Sequence, residues 1–324
     1  MRTTLLAAAA TLALVGAANA KPAYTTFAPT GANVTYAYGV NKTGSVSGYY
    51  FDANGNQHGY VRTPDGTITS FDPSGATGTE AFGINDTGSI TGPYWDSKGQ
   101  HGYVRTSGGT FTSFDPQGST ATNPVAINDK GVITGYYNGS SAFVRVANGT
   151  ITEFAPQGST ITYPYAINDK GAVAGQYYDQ SYQAHGFLRA ADGTITTIDP
   201  TGAIYASAQG INNKGTIVGS WMDTNGAVHG FTRTADGGFT FIDPVGSVST
   251  TASAVDDKGV ITGYYLDSNS KFHSFVQSTV GKITAFDPPG SATSQAFGIS
   301  KAQSIAGFGT NSSRTMTVGY LRSR

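Results

Sequence analysis

Apolar residues recur at every second position over short runs of this chain, and turn residues break the runs. In Ser89-Ile90-Thr91-Gly92-Pro93-Tyr94, the residues Ile90, Gly92 and Tyr94 fall on one face. Val46, Gly48 and Tyr50 repeat that order, as do Ile133, Gly135 and Tyr137. A period of two predicts half-buried β-strands. In this order of aliphatic, notch and aromatic, the Gly is expected to make room for a neighbouring repeat's side chains while the ring supplies most of the buried area. The stretch 71–113 shows the whole unit. A small-residue strand at Ala81-Phe82-Gly83-Ile84 leads through Asn85-Asp86-Thr87-Gly88 into the strand above, with Asn and Asp starting the turn and Gly taking the positive φ. A third strand, Gly102-Tyr103-Val104-Arg105, and a fourth, Thr110-Phe111-Thr112-Ser113-Phe114, complete it.

Nearly all of the chain after residue 20 is copies of this unit. An aromatic or Ile followed by Asp/Ala-Pro-x-Gly opens at Phe27, Phe71, Phe114, Phe154, Ile198, Ile242 and Phe286, at spacings of 44, 43, 40, 44, 44 and 44 residues. The Asn-Asp-x-Gly turn recurs in step at Asn41, Asn85, Asn128, Asn168, Asn212 and Asp256, and in degraded form at Ser300. Four strands per repeat, a period in the low forties and Gly-rich turns predict an all-β protein, a seven-bladed β-propeller with four-stranded blades. Gly or Ala before each inner Ile/Val (Gly39, Gly83, Ala126, Ala166, Gly210, Ala254, Gly298) suits a crowded innermost strand. The repeats begin with a lone fourth strand, Ala23-Tyr24-Thr25-Thr26-Phe27, and stop with a third strand, Gly319-Tyr320-Leu321-Arg322. The two fragments are expected to make one blade, so that the N-terminal strand closes the ring and removes the exposed edges.

The runs GINDTGSITG, HGYVR and SFDPSG resemble the HAF family of extracellular repeats, a bacterial group whose likeness implies repeats of this kind and no assigned activity. It covers essentially residues 22–324. Two repeats depart from it: Asn138-Gly139-Ser140-Ser141-Ala142 is short and lacks His-Gly, and Ser300-Lys301-Ala302-Gln303 lacks the Asn-Asp-x-Gly turn.

Residues 1–20 carry Arg2, an apolar stretch from Leu5 to Val15 and Ala18-Asn19-Ala20 before Lys21. This is the form of a cleaved export signal, so the expected organisation is a signal peptide over 1–20 and one propeller domain over 21–324. Secretion or delivery to the periplasm after cleavage near Ala20 is expected, with no membrane span, because no later apolar run is long enough. The 324 residues include 44 Gly and no Cys, and 19 basic against 20 acidic residues are scattered through the repeats. Packing and strand pairing therefore replace disulfides, and no basic stripe exists for nucleic acid. A monomer without cofactor is expected.

All five histidines, His58, His101, His185, His229 and His273, stand at one repeat position, before the third strand. Five symmetric copies argue for structure rather than catalysis or metal binding. Each has an Asp at the end of the preceding strand (Asp52, Asp96, Asp179, Asp223, Asp267), and the repeats with Asn138 and Asn311 there have no His, so Asp–His pairs are expected across the hairpin. Asp52-Ala53-Asn54-Gly55-Asn56 begins like a calcium loop but lacks its terminal Glu, so a plain hairpin turn is expected there and no metal site.

Function is sought at positions that break the sevenfold pattern. Tyr36, Glu80, Asn123, Tyr163, Ser207, Thr251 and Gln295 occupy one repeat position yet vary in size, nearly all are able to hydrogen bond, and they are expected on loops around a concave mouth. They are the candidate ligand site for an extracellular ligand of carbohydrate or other surface-polymer type, with no catalytic residue assigned. The alternative is a polysaccharide lyase or glycoside hydrolase on the same face. Glycoside hydrolysis uses paired carboxylates, whereas the glutamates are Glu80 and Glu153, the latter on an outer strand.

Overall fold

The computed structural model describes residues 21–311, 313 and 315–323, and the signal-like segment 1–20 lies outside them. Every regular element among the described residues is a β-strand. Strand β1 (Ala23–Phe27) is followed by the first full repeat, β2 (Ala32–Val40), β3 (Val46–Asp52), β4 (Gln57–Arg62) and β5 (Ile68–Phe71), which pair in order as an antiparallel meander. Later repeats have the same pairing, for example 122–127 with 133–137, 141–145 and 151–154. In the second repeat the first strand is split into Gly78–Thr79 and Gly83–Ile84, both on Ile90–Asp96. Strand β1 lies antiparallel to the last strand, Thr317–Ser323, with Phe27 opposite Gly319.

The alternation seen in the sequence sets the core. Ile90 and Tyr103 are fully buried and Tyr94 nearly so, and Val46, Tyr50 and Tyr60 do the same in the first repeat. The notch glycine has a different reason from the one expected. A Cβ on Gly48 would stand 1.9 Å from the Tyr36 carbonyl oxygen, and one on Gly92 would stand 2.1 Å from that of Glu80. These oxygens belong to the same repeat's first strand rather than to a neighbouring repeat, because that strand bulges or, in the second repeat, breaks there. They also accept the Tyr60 and Tyr103 hydroxyls, at 3.0 and 2.8 Å.

The bulge is the element that places the site. Register slips between Ala37 and Gly39, leaving Tyr38 without a partner on β3. The same slip skips Val125, Tyr165, Gln209, Ser253 and Phe297. One extra residue on one strand bends it and re-aims a side chain.

Neighbouring repeats are joined through the Asn of the hairpin turn. Asn128 Oδ1 accepts from the N–H groups of Lys130 (3.0 Å) and Val132 (2.9 Å), which holds its own turn. Its Nδ2 donates at 2.8 Å to the carbonyl of Asn168 in the next repeat. Asn41, Asn85, Asn168 and Asn212 make the same link onward, the last to the Asp256 carbonyl. A turn residue is thus also a tie between repeats. The seventh turn, expected to be lost, persists: Gln303 takes the glycine's positive φ at 67°, and Ser300 Oγ accepts the Ser304 N–H.

Candidate functional site

The skipped residues meet. Tyr38, Val125, Tyr165, Gln209, Ser253 and Phe297, with Phe82 from the second repeat, line one central cavity of about 510 Å³. Tyr136, Tyr264 and Thr251 reach into it beside them. Its inner end is a collar of Val40, Ile84, Ile127, Ile167, Ile211, Val255 and Ile299, and the same seven residues bound a smaller cavity of about 200 Å³ among the turns. The aliphatic collar therefore separates an aromatic chamber from a polar one.

Ring packing fixes the chamber wall. Tyr38 contacts Phe82 at 5.3 Å and Phe297 at 5.2 Å between centroids, and Phe297 contacts Phe308 at 5.1 Å and Tyr264 at 5.6 Å. The first is edge-on, Phe297 and Phe308 are stacked and the others are tilted, arrangements that suit the ring quadrupoles when stacked rings are offset. Burial pushes the Tyr38 hydroxyl up to about 12, and it also raises Tyr49, Tyr136, Tyr165 and Tyr264 above the ordinary tyrosine range. These hydroxyls stay protonated and can both donate and accept. The wall offers aromatic faces, hydroxyls and the Gln209 amide.

The residues singled out from the sequence stand two positions before the bulge, within strands rather than on loops, except that Glu80 sits between the two halves of a split strand. Of the seven, Thr251 lines the cavity. Tyr36 packs behind the wall against Tyr49 (5.1 Å) and Phe308 (4.8 Å). Tyr163 packs on Tyr136 at 4.8 Å, and its hydroxyl donates to the Gly139 carbonyl at 3.0 Å. Asn123 Oδ1 accepts from Gln100 Nε2 at 2.5 Å, and buried Ser207 Oγ accepts from Gln209 Nε2 at 2.6 Å. Gln295 is half-buried opposite Phe308. Glu80 accepts from Gln57 Nε2 at 2.7 Å, and burial raises its pKa despite that bond. Its charge is felt by Tyr38 and Tyr136, both of which line the cavity. The missed lining residues were marked by the same signal of non-repetition, two residues further on.

The histidines sit near the start of the third strand in five repeats, and each lies between two carboxylates. His101 Nε2 is 3.2 Å from Asp96, whereas its Nδ1 is 2.7 Å from Asp115 of the Phe-Asp-Pro signal. His58, His185, His229 and His273 stand 3.4 to 3.7 Å from Asp52, Asp179, Asp223 and Asp267. Their Nδ1 atoms are closer to Asp72, Asp199, Asp243 and Asp287, at 2.6 to 3.0 Å. Each ring also packs on the aromatic of the second strand, as Tyr177 does on His185 at 5.0 Å. The nearer Asp was legible too: the repeats without His have Ala28 and Ala155 in its place. The loop at Asp52 is a hairpin turn whose Oδ1 accepts from the N–H groups of Asn54 and Asn56, both at 2.8 Å.

No helix among the described residues is long and apolar enough to cross a membrane. No family model matches the chain, and no curated protein matches it. Solved structures of similar fold include a catalytically inactive virginiamycin B lyase from Staphylococcus aureus with quinupristin, at TM-score 0.64 and 15% identity over 93% of this chain and 99% of that one. The β-propeller domain of the Trilobed protease from Pyrococcus furiosus, which has an open velcro topology, matches at TM-score 0.64 and 10% identity over 87% and 94%. The BP39L lectin from Burkholderia pseudomallei matches at TM-score 0.53 and 11% identity over 89% and 95%. At these identities the likeness concerns architecture alone, and the chain is accordingly an all-β protein with a β-propeller fold.

Proposed function

We propose that the chain is an exported seven-bladed propeller, closed by β1 on the last strand, that acts as a binding module for an uncharged carbohydrate of the cell exterior. The observation that carries this reading is that bulges in six repeats deliver their non-repeating residue into one cavity. Residues shared by all repeats serve packing, whereas Tyr38, Phe82, Tyr165 and Phe297 beside Gln209 and Ser253 offer stacking faces and hydroxyl partners. That mixture suits sugar rings, with area from stacking and orientation from the polar edges. Contact of first strands around one cavity and the β1 pairing support the closed ring. The form of residues 1–20 and the likeness of the repeats to the HAF type support an extracellular role, and a lectin among the similar folds agrees with carbohydrate as ligand class.

A polysaccharide lyase or glycoside hydrolase is the second reading, favoured by one observation: Glu80 is a half-buried carboxyl with a raised pKa behind the wall. Paired carboxylates are what glycoside hydrolysis requires, and the lining residues are aromatic, aliphatic, hydroxyl and amide.

A glycan array on the purified protein, followed by calorimetric titration of the best glycan, tests the binding reading. Tyr38→Ala and Tyr264→Ala should each cost roughly 2 kcal/mol of binding, as buried aromatic anchors do. Tyr36→Ala, behind the wall, should cost less. Unchanged affinity in the first two variants would move the site elsewhere, and an array without binding would end the carbohydrate reading. Release of reducing ends from the same glycans would favour the enzyme.

A further inference from the structure

The polar chamber beyond the collar contains a second departure from the repeat. The second residue of the hairpin turn is Asp or Asn in five repeats, and Lys at 42 and 301. Lys301 belongs to the seventh repeat, yet its partners belong to the second, third and fourth. Its Nζ lies 2.5 Å from Asp129 Oδ2, 3.1 Å from Asp86 Oδ2 and 3.2 Å from Asp169 Oδ2. The side chain spans the chamber instead of turning to an adjacent repeat.

Three carboxylate oxygens around one ammonium match its three N–H donors. The other oxygen of each Asp is already used: Asp86, Asp129 and Asp169 accept through Oδ1 from the N–H groups of Lys42, Asp86 and Asp129 in turn, at 2.7 to 2.9 Å. Those bonds hold the Oδ2 atoms toward the centre. Partial burial works against the charge on Lys301, but hydrogen bonds to Asp129, Asp86 and Asp169 outweigh it and raise its pKa above the ordinary lysine value. A further sign that this chamber suits a cation is Asp256, 4% exposed and lining it, whose Oδ2 has no hydrogen-bond partner.

We propose that the polar, solvent-facing end of the central cavity is a cation site whose occupant is the chain's own Lys301. The ammonium neutralises carboxylates that the repeat crowds together, and it stoppers the cavity behind the collar. If the aromatic chamber binds a glycan as proposed above, that ligand then has one way in.

With the lysine removed, the oxygen-rich ring should accept a hard divalent cation. Lys301→Met, which keeps much of the stem, should lower the melting temperature by about 2 to 4 °C or more. Millimolar calcium should restore it, while leaving the parent unchanged. Should the single variant not fold, Lys301→Met with Asp129→Asn must recover folding, since it removes charge from the ring. In the parent, NMR titration of the lysine side chains should find Lys301 still protonated where the others have lost their protons. A variant that melts like the parent without a calcium response would overturn the proposal, as would failure of both variants to fold or titration of Lys301 with the remaining lysines. None of these measurements uses a glycan, so they stand or fall apart from the carbohydrate reading.

Discussion

A single histidine shows how much of the fold is written in residue choice. His101, when protonated, donates to Asp115 through Nδ1 and to Asp96 through Nε2, with the Tyr94 ring tilted against it at 5.3 Å. The hydrogen bond to Asp115 outweighs burial and raises the His101 pKa above its ordinary value; for His273 burial is the largest influence and opposes the charge, but the hydrogen bonds and charges of Asp287 and Asp267 together outweigh it and raise the pKa. A raised folded pKa means stability fully present below about 6.5 and lost as pH rises through the folded value. Asp267 behaves in the opposite sense: the Lys271 N–H, with further hydrogen bonds, lowers it to about 2. Its contribution is therefore present above about 3.9 and lost as pH falls toward 2. Both are in force from about pH 4 to 6.5. The double variant His101→Gln/His273→Gln should melt below the parent by a margin that is widest near pH 5 and shrinks by pH 8, measured by calorimetry. An equal margin at both pH values would show that the rings contribute packing alone.

Within one strand, the bulge and the turn asparagine divide the work. The bulge opens the ladder so that one residue faces the cavity, and it presses a carbonyl against the next strand, which is why Gly48, Gly92, Gly135 and Gly263 cannot carry a Cβ there. The asparagine holds its own turn through Oδ1 and the next repeat through Nδ2, both while buried. Asn128→Ala should cost about 1 to 3 kcal/mol in urea unfolding, because it strands buried backbone donors and an acceptor. Asn128→Ser should recover only the turn part, as Ser300 does in the seventh repeat through its bond from Ser304. Parental stability for the alanine variant would mean that water replaces the tie.

Over the whole molecule, β1 is the element on which the proposed closure depends. Phe27 is buried, and its ring lies over Gly319 and under Arg62, whose guanidinium carbon is 5.1 Å from the ring centre. Removal of Ala23 to Phe27 would strip a partner from the strand Thr317–Ser323 and leave an open sheet edge. Lower melting temperature and oligomers in size exclusion are expected. A monomer that melts unchanged would refute closure by this strand.

The repeat was legible because its causes are local. Alternation, a Gly at most positive-φ positions and an Asn, Asp or Ser at the start of each inner turn are demanded by hydrogen bonds between residues near in sequence, so each copy states them again. Even the two Asp partners of each His can be read by comparing copies, since Ala28 and Ala155 accompany the missing histidines. The face of Tyr38 was decided by a slip of one residue between two strands. A slip of that size exchanges the buried and open sides of a strand and leaves composition untouched. Lys301 likewise reads as a damaged turn until the fold brings residues 132 to 215 positions earlier across the cavity from it. The cumulative geometry of successive repeats set that meeting, which no single repeat encodes.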